Sequence, residues 1–313
     1  MCVPYRSLKR DSLDVLVLEW VLQVKSYKLT LDRRRCVGCQ ICSLVCPKDA
    51  VTVVKQFGFG GRVLKSKVDV DLAKCAFCGI CDVTCLFGAV TVVVNGLRNT
   101  LLISKESFPK IDRAISLNSK ECSKDCFECE TVCPWQLIKV SRVGFDGKPV
   151  KVFSELSPTE KRRVKVAVDI QREYCPTCKI CEVKCPSKVL KVKKIFEGKI
   201  VINTNKCPIG CHACVDVCPV PNVLTVNAAG KVDVAEAHCV YCGACKNVCP
   251  ASDDGALVVV RVKVAHRRVR SGVWNRVLER LTSVQDGVKE LKAVASLKKR
   301  DMLIKRLRDE VDL

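Results

Sequence analysis

Short runs of valine and isoleucine recur along the chain, each a few residues long and each beside a compact polar stretch. Val68–Val70, Val168–Ile170 and Val232–Val234 lead into such stretches, and Ala89–Val94, Val189–Val192 and Leu257–Val264 follow them. Their length and β-branched composition predict strands. The polar stretches between them have room for a tight loop and a short helical turn. Residues 12–24 alternate apolar and polar positions in part and predict a further strand, not a targeting sequence. Past residue 266 the period changes. Trp274, Val277, Leu281, Val284, Val288, Leu291 and Ala295 follow a heptad-like spacing with Leu278 beside them, while Arg276, Arg280, Lys289, Lys292 and Lys298 fall on other faces. This predicts an amphipathic helix of about 25 residues, mildly weakened by Gly287, with a second short helix over 301–312. Such a helix could fold back on the protein, dock onto a partner, or lie on a membrane surface, although Glu279, Asp286 and Glu290 interrupt its basic face.

The polar stretches are cysteine runs. Of 25 cysteines, all but Cys2 fall into six near-copies of one pattern: Cys36/39/42/46, Cys75/78/81/85, Cys122/126/129/133, Cys175/178/181/185, Cys207/211/214/218 and Cys239/242/245/249. Cys2 receives no role. Disulfides do not fit: the total is odd, no secretory signal is visible, and cysteines this close bridge only with strain. Zinc sites use two CxxC pairs or Cys/His mixtures, and only three histidines are present. Three closely spaced thiols followed by Cys-Pro is instead the ligand run of a [4Fe–4S] cluster, in which the fourth cysteine serves the other cluster of a pair. The third and fifth runs carry one extra residue after the first cysteine and the second has Leu86 where the others have proline. All four thiols persist in each.

Paired runs leave two arrangements open. The gaps allow a nested order, with the fourth and fifth runs between the third and sixth. The flanks favour a tandem one. Val68-Asp69, Val168-Asp169 and Val232-Asp233 precede the second, fourth and sixth runs, whereas Leu31-Asp32, Leu117-Asn118 and Ile202-Asn203 precede the others. On the tandem reading the expected cofactors are six [4Fe–4S] clusters. Their ligands are Cys36, Cys39, Cys42 and Cys85; Cys75, Cys78, Cys81 and Cys46; Cys122, Cys126, Cys129 and Cys185; Cys175, Cys178, Cys181 and Cys133; Cys207, Cys211, Cys214 and Cys249; and Cys239, Cys242, Cys245 and Cys218. The expected fold is α+β: three tandem two-cluster ferredoxin modules plus a helical tail. The expected boundaries are an N-terminal extension over 1–24, modules over 25–97, 98–197 and 198–266, and a tail over 267–313. Modules this small bury a modest core and need staples, which the clusters supply, so folding should depend on them.

Charge changes the picture less than it first promises. The formal net charge is +21 with cysteines counted neutral. Each oxidised cluster with its four thiolates carries about −2, so six leave about +9. Much of the basic excess is a counter-field, which removes nucleic acid as an expected partner and leaves an acidic protein partner open. No apolar stretch is long enough to span a membrane. Free thiols and oxygen-labile clusters point to a reduced, anaerobic cytoplasm. Catalytic constellations are missing. Gly58–Gly61 lacks the helix start and Lys-Ser/Thr of a phosphate loop. His212 and His238 lie beside cluster ligands, where a loop histidine tunes potential at most, and His266 sits at a strand end. The segment from Val150 to Arg163 reads as a solvated loop, with docking as its alternative.

From Cys36 to Pro250 the six runs resemble the polyferredoxins of methanogenic archaea. These include proteins similar to the polyferredoxin subunit of formylmethanofuran dehydrogenase and to the polyferredoxins of methanogen hydrogenases, the six-cluster one of energy-converting hydrogenase complexes among them. The resemblance implies an electron-transfer protein that carries electrons to or from a low-potential oxidoreductase complex or other ferredoxins, without turnover of its own, or an integral iron–sulfur component of a dehydrogenase or hydrogenase. It covers neither the N-terminal strand nor the tail.

Overall fold

The computed structural model describes residues 6–58, 63–98, 105, 107–150, 153, 155, 157–270 and 272–282. The chain divides into two units, Met1–Asp112 with Ile195–Leu313, and Arg113–Lys194.

The first unit opens with a charged edge strand, β1 (Arg6–Asp11), followed by β2 (Val15–Val21) and β3 (Ser26–Asp32). A hairpin, β4 (Val51–Phe57) and β5 (Val63–Val70), separates them from β6 (Val90–Val94) and β7 (Leu97–Arg98). The sheet order is β1-β2-β3-β6-β7, antiparallel throughout. Register explains the core. Leu16 lies opposite Leu31 and Leu31 opposite Val90; Leu18 lies opposite Leu29 and Leu29 opposite Val92. Alternation puts these residues on one face of the sheet, and all are buried. Each buried Leu or Val contributes about 1.5–3 kcal/mol. Val68 and Val70 of the hairpin close the core, and Cys36, Cys42, Cys46, Cys75, Cys81 and Cys85 pack against it or within it. Leu16 and Leu18 of β2 thus share one core with cysteines of the first two runs. A short strand, β8 (Lys110–Ile111), ends this part of the chain.

The second unit is smaller. β9 (Ile115–Leu117) pairs with β12 (Leu190–Val192), and β10 (Ile138–Val143) pairs with β11 (Lys165–Ile170). Two small apolar clusters, Ile115/Leu190/Val192 and Ile138/Val140/Val166, each pack against cysteines of both the third and the fourth run. The expected solvated loop before β11 contains a helix, Pro158–Arg163. Ser157 accepts from the amide of Glu160 while Glu160 caps Ser157 in return, with proline at the first helical turn. This capping box satisfies amides that a short helix otherwise leaves open.

The chain then returns to the first unit. β13 (Phe196–Ile202) pairs with β16 (Leu257–Val264), and β14 (Leu224–Val226) pairs with β15 (Val232–Val234). β17 (His266–Arg267) pairs with β8. The strand before the first, third and fifth runs thus pairs with the strand after the second, fourth and sixth, β3 with β6, β9 with β12 and β13 with β16. After β17 a helix, Gly272–Glu279, runs into a 3-10 turn, Arg280–Thr282. Leu278 and Leu281 are buried, and the turn packs on β16 and on the helix Ile41–Leu44. The rest of the apolar stripe, from Val284 onward, and the side chain of Trp274 lie outside the described residues.

Candidate cluster-binding sites

Four of the runs share a backbone device. The second and fourth residues after the first cysteine are left-handed: Gly38 and Gln40 (φ 70 and 67), Phe77 and Gly79 (47 and 83), Thr177 and Lys179 (62 and 66), Tyr241 and Gly243 (49 and 85). Alternation of this kind turns successive amides into one concavity, the nest that anionic and Fe–S groups occupy. Five of these eight residues carry a side chain, and each costs about 1–2 kcal/mol in that conformation, which is strain of the kind stored at functional sites. At Gly38 glycine is also required by space, because a Cβ would sit 2.8 Å from the carbonyl oxygen of Ser66. A short helix follows each loop: Ile41–Leu44, Ile80–Thr84, Ile180–Lys184 and Ala244–Val248.

The third and fifth runs absorb their extra residue differently. Cys126 donates its amide to Ser123 O at 3.2 Å, and Cys211 donates to Pro208 O at 3.0 Å. A turn therefore precedes the second cysteine, and the helix caps Phe127 and His212 have negative φ (−123 and −132). Behind the fourth cysteine a left-handed residue turns an amide back onto sulfur. Ala50 donates to Cys46 Sγ at 3.3 Å, Ala89 to Cys85 Sγ at 3.2 Å and Leu137 to Cys133 Sγ at 3.4 Å. The turn after Cys85 forms with Leu86 in the proline position, and Leu86 is buried.

The 24 cysteines of the runs are free of disulfides. Burial leads the rise in thiol pKa at most of them, and neighbouring thiols add to it. Desolvation and then Cys85 raise Cys36; Cys85 also acts on Cys39 and Cys42. Burial raises Cys75 to about 11 and raises Cys78 and Cys81, with Cys46 contributing at all three. In the second unit Cys185 adds to the effect of burial at Cys122, and Cys133 does so at Cys175, Cys178 and Cys181. Cys249 faces Cys214, Cys207 and Cys211, while Cys218 faces Cys242 and Cys245. Each fourth thiol thus bears on at least one thiol of the neighbouring run. Third thiols also face each other: Cys42 with Cys81, Cys181 with Cys129, and Cys245 with Cys214. Among the described residues no group of three Cys, His, Asp or Glu converges as a single-ion site would require. The donors are all thiols, in runs of four whose loops are lined by amides, a chemistry that fits iron–sulfur clusters.

Sequence reasoning missed a recurring carboxylate. The residue after the third cysteine accepts a strand amide: Asp82 from Val92 at 2.9 Å, Glu130 from Val140 at 2.7 Å and Glu182 from Val192 at 2.9 Å. Asp82 also pairs with Arg98 at 2.6 Å. Its signal was the acidic residue at one fixed place in three runs. His212 is exposed, with Nδ1 3.0 Å from Gly210 O and Nε2 3.7 Å from Asp216. Burial lowers the pKa of His266. Among the described residues no helix is long and apolar enough to cross a membrane.

Residues 35–89, which hold the first two runs entire, match the family of 4Fe-4S dicluster domains. Over 104 residues the chain is 32% identical to the polyferredoxin-like subunit of an aliphatic sulfonate oxidoreductase of Pyrococcus furiosus; the match covers 29% of this chain and 58% of that protein. The chain therefore spans little more than half the length of that curated relative. A chain in the formate dehydrogenase–heterodisulfide reductase–formylmethanofuran dehydrogenase complex of Methanospirillum hungatei is similar over 90% of this chain and 92% of its own, at 28% identity and a TM-score of 0.72. The first two cysteine runs thus lie within a match to a [4Fe–4S] dicluster domain, and the other four repeat its ligand spacing closely.

Proposed function

We propose that the chain binds six [4Fe–4S] clusters in three tandem pairs and conducts electrons as a subunit of an oxidoreductase complex, without turnover of an organic substrate of its own. When bound, the clusters supply one-electron transfer at low potential. The chain's own residues supply everything else. Cys36, Cys39 and Cys42 with Cys85 hold the first site, and Cys75, Cys78 and Cys81 with Cys46 the second. Cys122, Cys126 and Cys129 with Cys185 hold the third, and Cys175, Cys178 and Cys181 with Cys133 the fourth. Cys207, Cys211 and Cys214 with Cys249 hold the fifth, and Cys239, Cys242 and Cys245 with Cys218 the sixth. The observation that supports this reading is that each fourth thiol bears electrostatically on a thiol of the neighbouring run. Amides of the left-handed loops and those aimed at Cys46, Cys85 and Cys133 stabilise charge on sulfur and so set potential. The mutual effect of the third thiols, Cys42 with Cys81 and their counterparts, supports two neighbouring sites in each pair.

The oxidoreductase partner is inferred from the similar chain's place in the Methanospirillum complex, and a reduced cytoplasm is the compartment the thiols require. The test is anaerobic reduction by a low-potential donor. The broad iron–sulfur absorbance should bleach, and the reduced chain should pass electrons to a partner oxidoreductase or a simple ferredoxin. Turnover of an organic substrate by the isolated chain would overturn the reading.

A further inference from the structure

Within the first unit the first and sixth cysteine runs meet. Asn247 donates from Nδ2 to the carbonyl of Gly38 at 2.7 Å. Lys55 of β4 reaches Cys249 O at 3.0 Å and Ser252 Oγ at 3.3 Å. Arg261 of β16 lies at the same contact. Its Nε donates to Tyr241 O at 2.7 Å and its Nη2 to Cys242 O at 2.6 Å, and the guanidinium lies over the Phe196 ring, 5.2 Å from its centroid. A Cβ on Gly243 would come 3.1 Å from Nη2 and 3.9 Å from the carbonyl of Cys39. The guanidinium therefore touches the sixth run on the side where that run meets the first.

Among the described residues no carboxylate pairs with Arg261. The half-buried guanidinium has Cys39, Cys242, Cys245 and Cys239 as its electrostatic neighbours. A half-buried cation gains from nearby negative charge, and the cysteines of two different runs, which carry that charge once they bind iron, surround this one. Cys39 and Cys242 are themselves within electrostatic reach of each other.

We propose that Arg261 is a positive charge shared by the first and sixth cysteine sites, placed where electrons cross directly between the first and third cysteine pairs. The proposal rests on the cluster reading above and adds a route to it. The crossing moves one electron: the site that gives it is oxidised by one and the site that takes it is reduced by one, with no bond or proton exchanged. Arg261 acts as a positioning residue, because its fork fixes the Tyr241–Gly243 loop against the first run, and its charge favours the reduced state of both sites together.

The experiment is a redox titration of the full chain followed by electron paramagnetic resonance, with iron and sulfide assayed in parallel. Cys36→Ser and Cys245→Ser chains identify the signals of the first and sixth sites. In Arg261→Gln both midpoint potentials should shift downward together while the others stay in place, and Arg261→Lys, which keeps the charge, should restore most of the shift. If Arg261→Gln holds less iron than the parent, Asn247→Asp decides: a negative charge at the same contact should lower the same two potentials. Unchanged potentials in a fully loaded Arg261→Gln chain, or a shift at other sites, would overturn the proposal. A parent chain without iron and sulfide would overturn the cluster reading instead, so the two failures are distinct.

Discussion

Cys85 ends the second cysteine run, yet its thiol bears on Cys36, which begins the first. The pairing follows from the strands. β3 and β6 lie side by side in one register, Leu31 opposite Val90, and the loop after β3 and the turn before β6 emerge at the same end of the sheet. On the proposed exchange of fourth ligands, each cluster draws on two runs, which would make the fold and the metal sites interdependent.

Single-ligand substitutions test that exchange. Cys85→Ser should alter the same spectroscopic signal as Cys36→Ser, and Cys46→Ser the same signal as Cys75→Ser. Electron paramagnetic resonance of the reduced proteins reads this directly. A Cys85→Ser spectrum that matches Cys75→Ser would mean each run keeps its own fourth cysteine.

The start of the tail is part of the core of its unit. Leu281 is 1% exposed and packs beside β16. Leu281→Ala should cost about 2–5 kcal/mol, seen as a lower thermal midpoint of the loaded protein. Removal of 267–313, which contains no ligand, should likewise destabilise the unit. Equal stability after either change would show that the stripe packs elsewhere.

The carboxylates after the third cysteine clamp the strands that follow. Glu182→Ala leaves the Val192 amide without its charged acceptor and should cost about 1.5–3 kcal/mol. Asp82→Ala should lie at the upper end of that range, because it also removes the ion pair with Arg98. Denaturant midpoints of the loaded proteins provide the check, with Ser43→Ala, at the equivalent place in the first run, as a control expected to change little.

Cluster loading should depend on pH. Burial raises Cys75, Cys129, Cys178 and Cys214 to about 11 and Cys181 and Cys242 to about 12. A raised pKa means the folded, iron-free thiol holds its proton below that value, and each ligand must lose it to bind iron. Anaerobic reconstitution should therefore gain in rate and yield as pH rises from about 6.5 to about 9, measured as iron incorporated per chain. A flat profile would mean that deprotonation of these thiols does not limit assembly.

Much of this was readable from residue types alone. The β-branched runs and the cysteine spacing located the strands and the thiols, since both depend on local pattern. Other features had no such signal. β1 is nearly all exposed and charged, so no alternation announces that residues 6–11 add an edge strand to the sheet. Gln40, Phe77, Thr177, Lys179 and Tyr241 are left-handed without being glycine, and nothing in their chemistry declares it. The helix at Pro158–Arg163 did carry a signal, the Ser157-to-Glu160 capping box, which a charged and loop-like composition obscured. Arg261 lies within Leu257–Val264 and reads as an ordinary strand arginine; its position depends on how the third cysteine pair packs on the first, a long-range event that spacing does not encode.

The central claim is six clusters held by 24 cysteines, and metal analysis tests it most directly. Anaerobically prepared full-length protein should contain about 24 iron and about 24 acid-labile sulfide per chain. A stable preparation that saturates with zinc and contains no sulfide would contradict it.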